Sequence, residues 1–202
     1  MSKIKKIIRR GLRGYDLHIR TRARRCRAFL DAWLHDGHLL MSKKCIFYAP
    51  LSVNGKGNVT LADDVQLGYG MAPKLGDGAL LLQARRADSS IAIGSGTAIG
   101  NNCSIIAERA VTIGSRCLIG HCVSIYDSDF HGVNPTERRG HGGVTEAVTL
   151  GDNVWLGSHV LVLRGVNIGE NSVIAAGAVV VKSIPPNVLA GGVPAKVIRG
   201  LI

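Results

Sequence analysis

The chain has 202 residues, 26 of them glycine; it is 46% hydrophobic but only 4% aromatic, and its formal net charge is +11. That length argues for one domain or one domain with an appendage, and no apolar run approaches the roughly 18–20 residues of a membrane span, so an integral membrane protein is not expected. Five scattered cysteines (Cys26, Cys45, Cys103, Cys117, Cys122) without a CxxC argue against a disulfide framework or a zinc site and suit a reducing cytoplasm.

Charge divides the chain at its front end. Residues 1–44 hold 13 Lys and Arg against Asp16, Asp31 and Asp36, a net +10, while the remaining 158 hold 12 against 11 acids, a net +1. No secretory signal is expected, because no apolar stretch follows the first basic residues. Ile4, Ile7, Ile8 and Leu12 have helical spacing, as do Leu30, Trp33 and Leu34. This predicts a basic helical segment over 1–45, with two helices joined near Gly11–Gly14. Apolar residues on one side and Lys3, Lys5, Lys6, Arg9, Arg10 and Arg13 elsewhere suit an anionic membrane surface. A solvated arm packing on the body is the plainer alternative. Nucleic acid is not expected, since no groove-reading motif accompanies the charge.

From residue 46 onward a six-residue repeat takes over. It is faint at Leu61 and Leu67, lost across 72–90, and clear at Ile93, Ile99 and Ile105, then at Ile113, Ile119 and Ile125. It is longest at Leu150, Leu156, Val162, Ile168, Ile174 and Val180. Four residues after each comes a small or β-branched one, among them Thr97, Cys103, Cys117, Val123, Val160 and Ala178. Such a period fits neither a helix nor an ordinary strand. It fits a short extended segment with two inward residues and a turn, three to a coil, stacked as a parallel β-helix. Glycine often follows the aliphatic residue, which is read as tolerance of positive φ in the turn. Narrow coils also explain the scarcity of rings.

The phase slips by two residues between Ile105 and Ile113. It breaks again between Ile125 and Leu150, so a polar excursion leaves the scaffold at about 126–147. Excursions of this kind tend to carry function. SIPPN at 183–187 ends the repeat, and GGVPAKVIRGLI reads as a turn and a short C-terminal helix with Pro194 near its start.

The segments HGVNPTER at 131–138, GDNVWLGSHV at 151–160 and GGVPAKVIR at 191–199 resemble the hexapeptide-repeat O-acetyltransferases that use acetyl-CoA. Among these are the galactoside, maltose and nodulation-factor enzymes; the likeness runs over about residues 93–199. It implies an all-β fold, a left-handed parallel β-helix, assembled as a homotrimer with active sites between subunits. His131 falls on the family's catalytic histidine, a general base for a sugar hydroxyl attacking the thioester, and Asn101 on its substrate-positioning asparagine. Trp155, Ser158 and Ala176 match positions along the cofactor arm. Lys182, Lys196 and Arg199 match positions near the nucleotide phosphates.

Asp127 and Asp129 are candidate acceptor-binding residues, and alternation places Asp129 on the side of His131. The galactoside and maltose enzymes lack that pair, and they carry an acid where Arg109 stands. The DSDFH form looks more like relatives that acetylate sugars in surface-polysaccharide assembly, where the acceptor is a saccharide or lipid-linked saccharide. His121, His131 and His141 are spaced by ten, but no H-x4-H pair accompanies them, so no metal is expected. The reading is therefore an acetyl-CoA-dependent O-acetyltransferase, cytoplasmic and peripheral at the inner membrane face. An N-acyltransferase on an amino-sugar nucleotide or amine, or a non-catalytic β-helix scaffold, stands as the alternative.

Overall fold

The computed structural model describes residues 3–140 and 143–201, with side chains from residue 17 onward. Alternating burial over short strands builds a prism with three parallel faces. The first face stacks His38–Met41, Asn58–Leu61, Ser90–Ile93, Ala110–Ile113, Val148–Leu150 and Asn167–Ile168. The second stacks Ile46–Phe47, Gln66–Leu67, Ala98–Ile99, Leu118–Ile119, Trp155–Leu156 and Val173–Ile174, and ends in Val188–Gly192 and Ala195–Gly200. Leu51–Asn54, Leu80–Ala84, Ser104–Ala107, Ser124–Tyr126, Leu161–Val162 and Val179–Val180 form the third. This is the architecture of a left-handed β-helix.

The inward residues are those that the period picks out. Ile93, Ile119, Leu150, Leu156 and Val180 are buried, as are Thr97, Cys103, Cys117, Val123 and Ala178 between them. Burial pushes the Cys103 thiol up to about 12 and raises Cys45 and Cys117 in the same direction. These thiols therefore pack as small apolar groups and are poor nucleophiles at neutral pH.

Register explains the phase breaks. Thr149 pairs with Asn167 and Trp155 with Val173, so three hexapeptides make a coil of 18 residues there. Ser90 pairs with Ala110 and Ala98 with Leu118, so the coil that precedes the one carrying the excursion holds 20. Its two additional residues fall in the turn at Glu108–Arg109. Burial alone would raise the Glu108 carboxyl, but Arg86 at 2.6 Å and Arg85 at 3.3 Å outweigh it and hold it below the ordinary range. Its stabilising contribution is thus present above the unfolded value of about 4.3 and lost as pH falls through the lowered folded value.

The glycines after the aliphatic positions have a different reason from the one expected. Positive φ falls two residues later, at Gly96, Asn102, Arg116, Cys122, Asn153 and His159. At Gly120 the constraint is stacking: an added Cβ would lie 2.6 Å from the Ser158 nitrogen and 2.7 Å from the Gly157 carbonyl carbon in the next coil. Gly120→Ala is therefore expected to lower stability by about 1–3 kcal/mol through overpacking against backbone. Gly70→Ala, whose Cβ would meet nothing closer than Tyr48 Cδ1 at 3.8 Å, should be near neutral. Chemical denaturation of the pair checks this.

Two terminal expectations are corrected. The N-terminal segment is one helix, Lys3–Leu34, rather than two. Two glycines cost a helix only about 1 kcal/mol each relative to alanine, and its second half is anchored. Ala28 and Ala32 are buried, Arg25 donates to the Lys43 and Cys45 carbonyls, and Asp31 accepts from Ser52 Oγ and the Val53 amide. At the other end no helix forms. Ala195–Gly200 turns back antiparallel to Val188–Gly192 across a cis Val193–Pro194 bond. The β-branched Val197 and Ile198 suit that strand, and the hairpin closes the edge of the second face.

Candidate active site

The excursion leaves the prism at the edge between the third and first faces, and its neck is tied down from both sides. Ser128 and Thr145 form an antiparallel bridge, Asp129 donates its amide to the Val144 carbonyl, and Glu146 donates to the Asp127 carbonyl. Arg164, from the next coil, reaches Asp129 at 2.7 Å through Nε and Glu146 at 3.3 Å through a terminal nitrogen. One guanidinium thus spans both strands of the neck, a use that its planar fork suits. Phe130 packs edge-on to Tyr126 at 5.8 Å, and the Arg85 guanidinium lies 4.3 Å from its ring centre.

His131 follows directly on this anchored stretch and is exposed. Its Nδ1 lies 2.9 Å from the Arg138 carbonyl oxygen. A carbonyl can only accept, so Nδ1 carries the proton and Nε2 of the neutral ring keeps its lone pair. A cavity of about 530 Å³ opens here, lined by Tyr126, Ser128, Asp129, His131, Arg138 and Leu163 among others. The imidazole is therefore set up to accept a proton through Nε2. Asp129 shares the cavity with it but is bound to Arg164 rather than to the ring.

Asp127 does not belong to this cavity. Its side chain is wholly buried, with Oδ1 accepting the Glu108 amide at 2.7 Å and Oδ2 accepting those of Arg109 and Ala110 at 2.7 and 2.8 Å. Both oxygens are spent on the widened turn one coil below, so the expected acceptor-binding role is replaced by a structural one. Asn101 is also engaged within its own chain. Its Oδ1 accepts the Tyr69 amide at 3.0 Å, and Nδ2 donates to the carbonyls of Tyr69, Ala72 and Pro73. The amide clips the 69–73 loop, with Nδ2 and one lone pair of Oδ1 engaged there.

Most of the residues matched to the cofactor lie elsewhere on the surface. Trp155 points outward from the second face, 52% exposed, beside Leu118 at 55%. It borders a groove of about 440 Å³ with Gln66, Tyr69, Ala98, His121 and Ser158. Ser158 Oγ lies 2.7 Å from His121 Nδ1, and Ala176 is exposed one coil further along the same edge, between the second and third faces. Lys182 stands exposed at the edge of the excursion, and Lys196 and Arg199 on the terminal hairpin. The described residues lining the His131 cavity and the Trp155 groove do not overlap. One chain thus carries the two halves of the expected site on different parts of its surface.

Sequence reasoning missed the Arg164 clamp and the His121–Ser158 pair. The second was reachable, because a register of Leu118 on Trp155 across the excursion puts His121 beside Ser158. Of the three histidines spaced by ten, His131 lines its own cavity and His141 lies outside the described residues. His121 meets Cys122 and His159 instead.

Residues 147–182 match the family described as bacterial transferase hexapeptide (six repeats). Galactoside O-acetyltransferase of Escherichia coli (strain K12) is 44% identical over 111 residues, covering 55% of this chain and 54% of that protein. The chain spans about half the length of the curated relatives it matches. Among solved structures, the hexapeptide-repeat acetyltransferase VCA0836 of Vibrio cholerae O1 biovar eltor, complexed with acetyl coenzyme A, is 26% identical with a TM-score of 0.58. That match covers 87% of this chain and 76% of the other. The polysialic acid O-acetyltransferase OatWY is also 26% identical with a TM-score of 0.58, over 82% and 85% of the two chains. In its repeat, its prism and these matches, the chain is similar to hexapeptide-repeat acetyltransferases, and residues 147–182 carry the bacterial transferase hexapeptide repeat.

Proposed function

We propose that the chain transfers the acetyl group of acetyl-CoA to a hydroxyl of a saccharide, with His131 as the general base. The observation that carries this is the contact from His131 Nδ1 to the Arg138 carbonyl, which leaves Nε2 as the acceptor on an anchored loop. A sugar hydroxyl has a pKa far above neutrality, so it needs proton removal as it attacks, whereas a thiol leaving group needs little help. As the new C–O bond forms and the C–S bond breaks, the hydroxyl proton passes to Nε2 and from there to the departing sulfur or to solvent.

The Trp155 groove fits the donor. Exposed Trp155 and Leu118 offer apolar contact to a flexible thioester arm, and Lys182, Lys196 and Arg199 offer cations for its phosphates. His131 and the groove occupy different parts of one chain, so the reading includes a homotrimer in which a neighbouring copy supplies the missing half. Sedimentation analysis should return a trimer; a monomer with full activity would remove that element. A saccharide of surface-polysaccharide assembly, free or lipid-linked, is the acceptor class we favour, supported by the likeness to a polysialic acid O-acetyltransferase along most of both chains.

Thiol release from acetyl-CoA, followed across a panel of sugars, nucleotide sugars and lipid-linked oligosaccharides, tests the activity. Products that lose their acetyl group to hydroxylamine are esters; products that resist it are amides and would point to N-acylation instead.

We propose that the basic helix lies at an anionic membrane surface on the cytoplasmic side. No helix among the described residues is long and apolar enough to cross a membrane, but Leu30, Trp33 and Leu34 are exposed at 54%, 72% and 63% near its C-terminal end. The helix's second half is built into the prism, so removing it would unfold what it supports. Replacement of Lys3, Lys5, Lys6, Arg9, Arg10 and Arg13 by Gln in the full chain is the cleaner experiment. Co-sedimentation with anionic vesicles at low salt should fall at least tenfold, since each basic residue contributes about 1 kcal/mol. Unchanged binding would refute the placement.

A further inference from the structure

We infer that His121, Cys122 and His159 form a binding site for a divalent transition-metal ion of the zinc and cobalt class. Their donor atoms lie within 4.8 Å of one another, at the edge between the second and third faces. None of the three belongs to the His131 cavity. Two imidazoles and a thiolate are the donor set that zinc favours, with a fourth position left for water.

The fold brings them together by stacking. Cys122 and His159 occupy equivalent corners of successive coils, and the His159 amide donates to the His121 carbonyl. Both corners have left-handed backbone, φ 56° and 60°. The same corner in the coils on either side is held by Asn102 and Gly177, residue types that take this conformation readily. A cysteine there is conformationally costly and gains nothing in packing, since it is only half-buried. The other thiols of the prism, Cys45, Cys103 and Cys117, point inward and are buried.

His121 already has the outer contact that metal-bound histidines use. Its Nδ1 is 2.7 Å from Ser158 Oγ, which fixes the ring and leaves Nε2 for an ion. A cavity of about 170 Å³ bordered by Lys74, Asn102, His121, Cys122 and His159 gives access from solvent and room for the water. Ligand atoms around tetrahedral zinc stand about 3.5 Å apart, as follows from its bond lengths. Rotation of the exposed His159 ring would close the remaining distance. Because His121 and Ser158 also line the Trp155 groove, an ion here would fix the groove's wall.

The test is titration of the full-length protein with Co2+ under a non-thiol reductant, after treatment with a chelator and desalting. One equivalent should bind with tetrahedral visible absorption and a thiolate-to-cobalt charge-transfer band in the near ultraviolet, and Zn2+ should displace it. Cys122→Ser should abolish the charge-transfer band. His159→Asn, which keeps a residue suited to left-handed backbone, should weaken binding at least tenfold. Cys26→Ser, which removes the exposed thiol of the N-terminal helix, should change neither. Thermal melts establish that each variant is folded, and binding by folded chain alone counts. Absence of stoichiometric binding, a band that survives Cys122→Ser, or one lost with Cys26→Ser would overturn the assignment.

Discussion

Alanine at position 131 is expected to lower kcat for acetyl transfer by roughly 10²–10⁴-fold, the range for loss of a positioned general base. KM for acetyl-CoA should change little, because the imidazole acts on the attacking hydroxyl rather than on the donor arm. That split identifies an interaction made in the transition state rather than in donor binding. The side chain is exposed and its one hydrogen bond is to a surface carbonyl, so the melting temperature should stay within a degree or two of the parent's. Arg164→Ala is the informative companion. It leaves the imidazole in place but releases the neck from its bridge between Asp129 and Glu146. A smaller fall in kcat, about tenfold, is expected from a base held less firmly. Turnover of His131→Ala at the parent rate would remove His131 from the chemistry altogether.

The scaffold was legible because its signal is local and repeated. Each hexapeptide shows its own inward residues, and the buried series from Ile93 to Val180 follows the period. What escaped depended on contacts between coils, which need a register that the two-residue slip and the loss of period across 72–90 conceal. Asp127 looks like a polar residue beside a catalytic histidine until Ser104 is seen paired with Ser124, which sets Asp127 over the turn at 108–110. Asn101 looks like a turn asparagine or a substrate ligand until the 69–73 loop folds onto its amide. The repeat glycines were noticed for the right positions and the wrong reason, since a missing Cβ and a positive φ leave the same letter. The terminal hairpin was hidden by Pro194, which can begin a helix or stand in a turn. Of the candidate site, the loop position of the histidine and the outward position of the tryptophan were readable from motif and period. Their separation on the chain surface was not, because it belongs to the shape of the prism.

Asp127→Ala separates the two roles that a carboxylate beside His131 could have. Its oxygens accept three backbone amides at 2.7–2.8 Å from a fully buried position. Alanine leaves these donors without an acceptor, and each unsatisfied buried donor costs about 1–3 kcal/mol. The three share one carboxylate and one turn, so their losses overlap; some water will also enter at the prism edge. A net destabilisation of about 3–4 kcal/mol is expected, read as a shift in the urea midpoint with protein concentration held constant. Asn at 127 keeps one accepting oxygen and turns an NH2 toward the remaining amides, so it should recover only part of the loss. Acetyl transfer per folded molecule should remain close to the parent's for both variants. A residue that held the acceptor would behave in the opposite way, raising KM for the sugar while the denaturation midpoint stayed put. That outcome would return Asp127 to the site, and it would require the two additional residues of the 90–109 coil to be held by something other than this carboxylate.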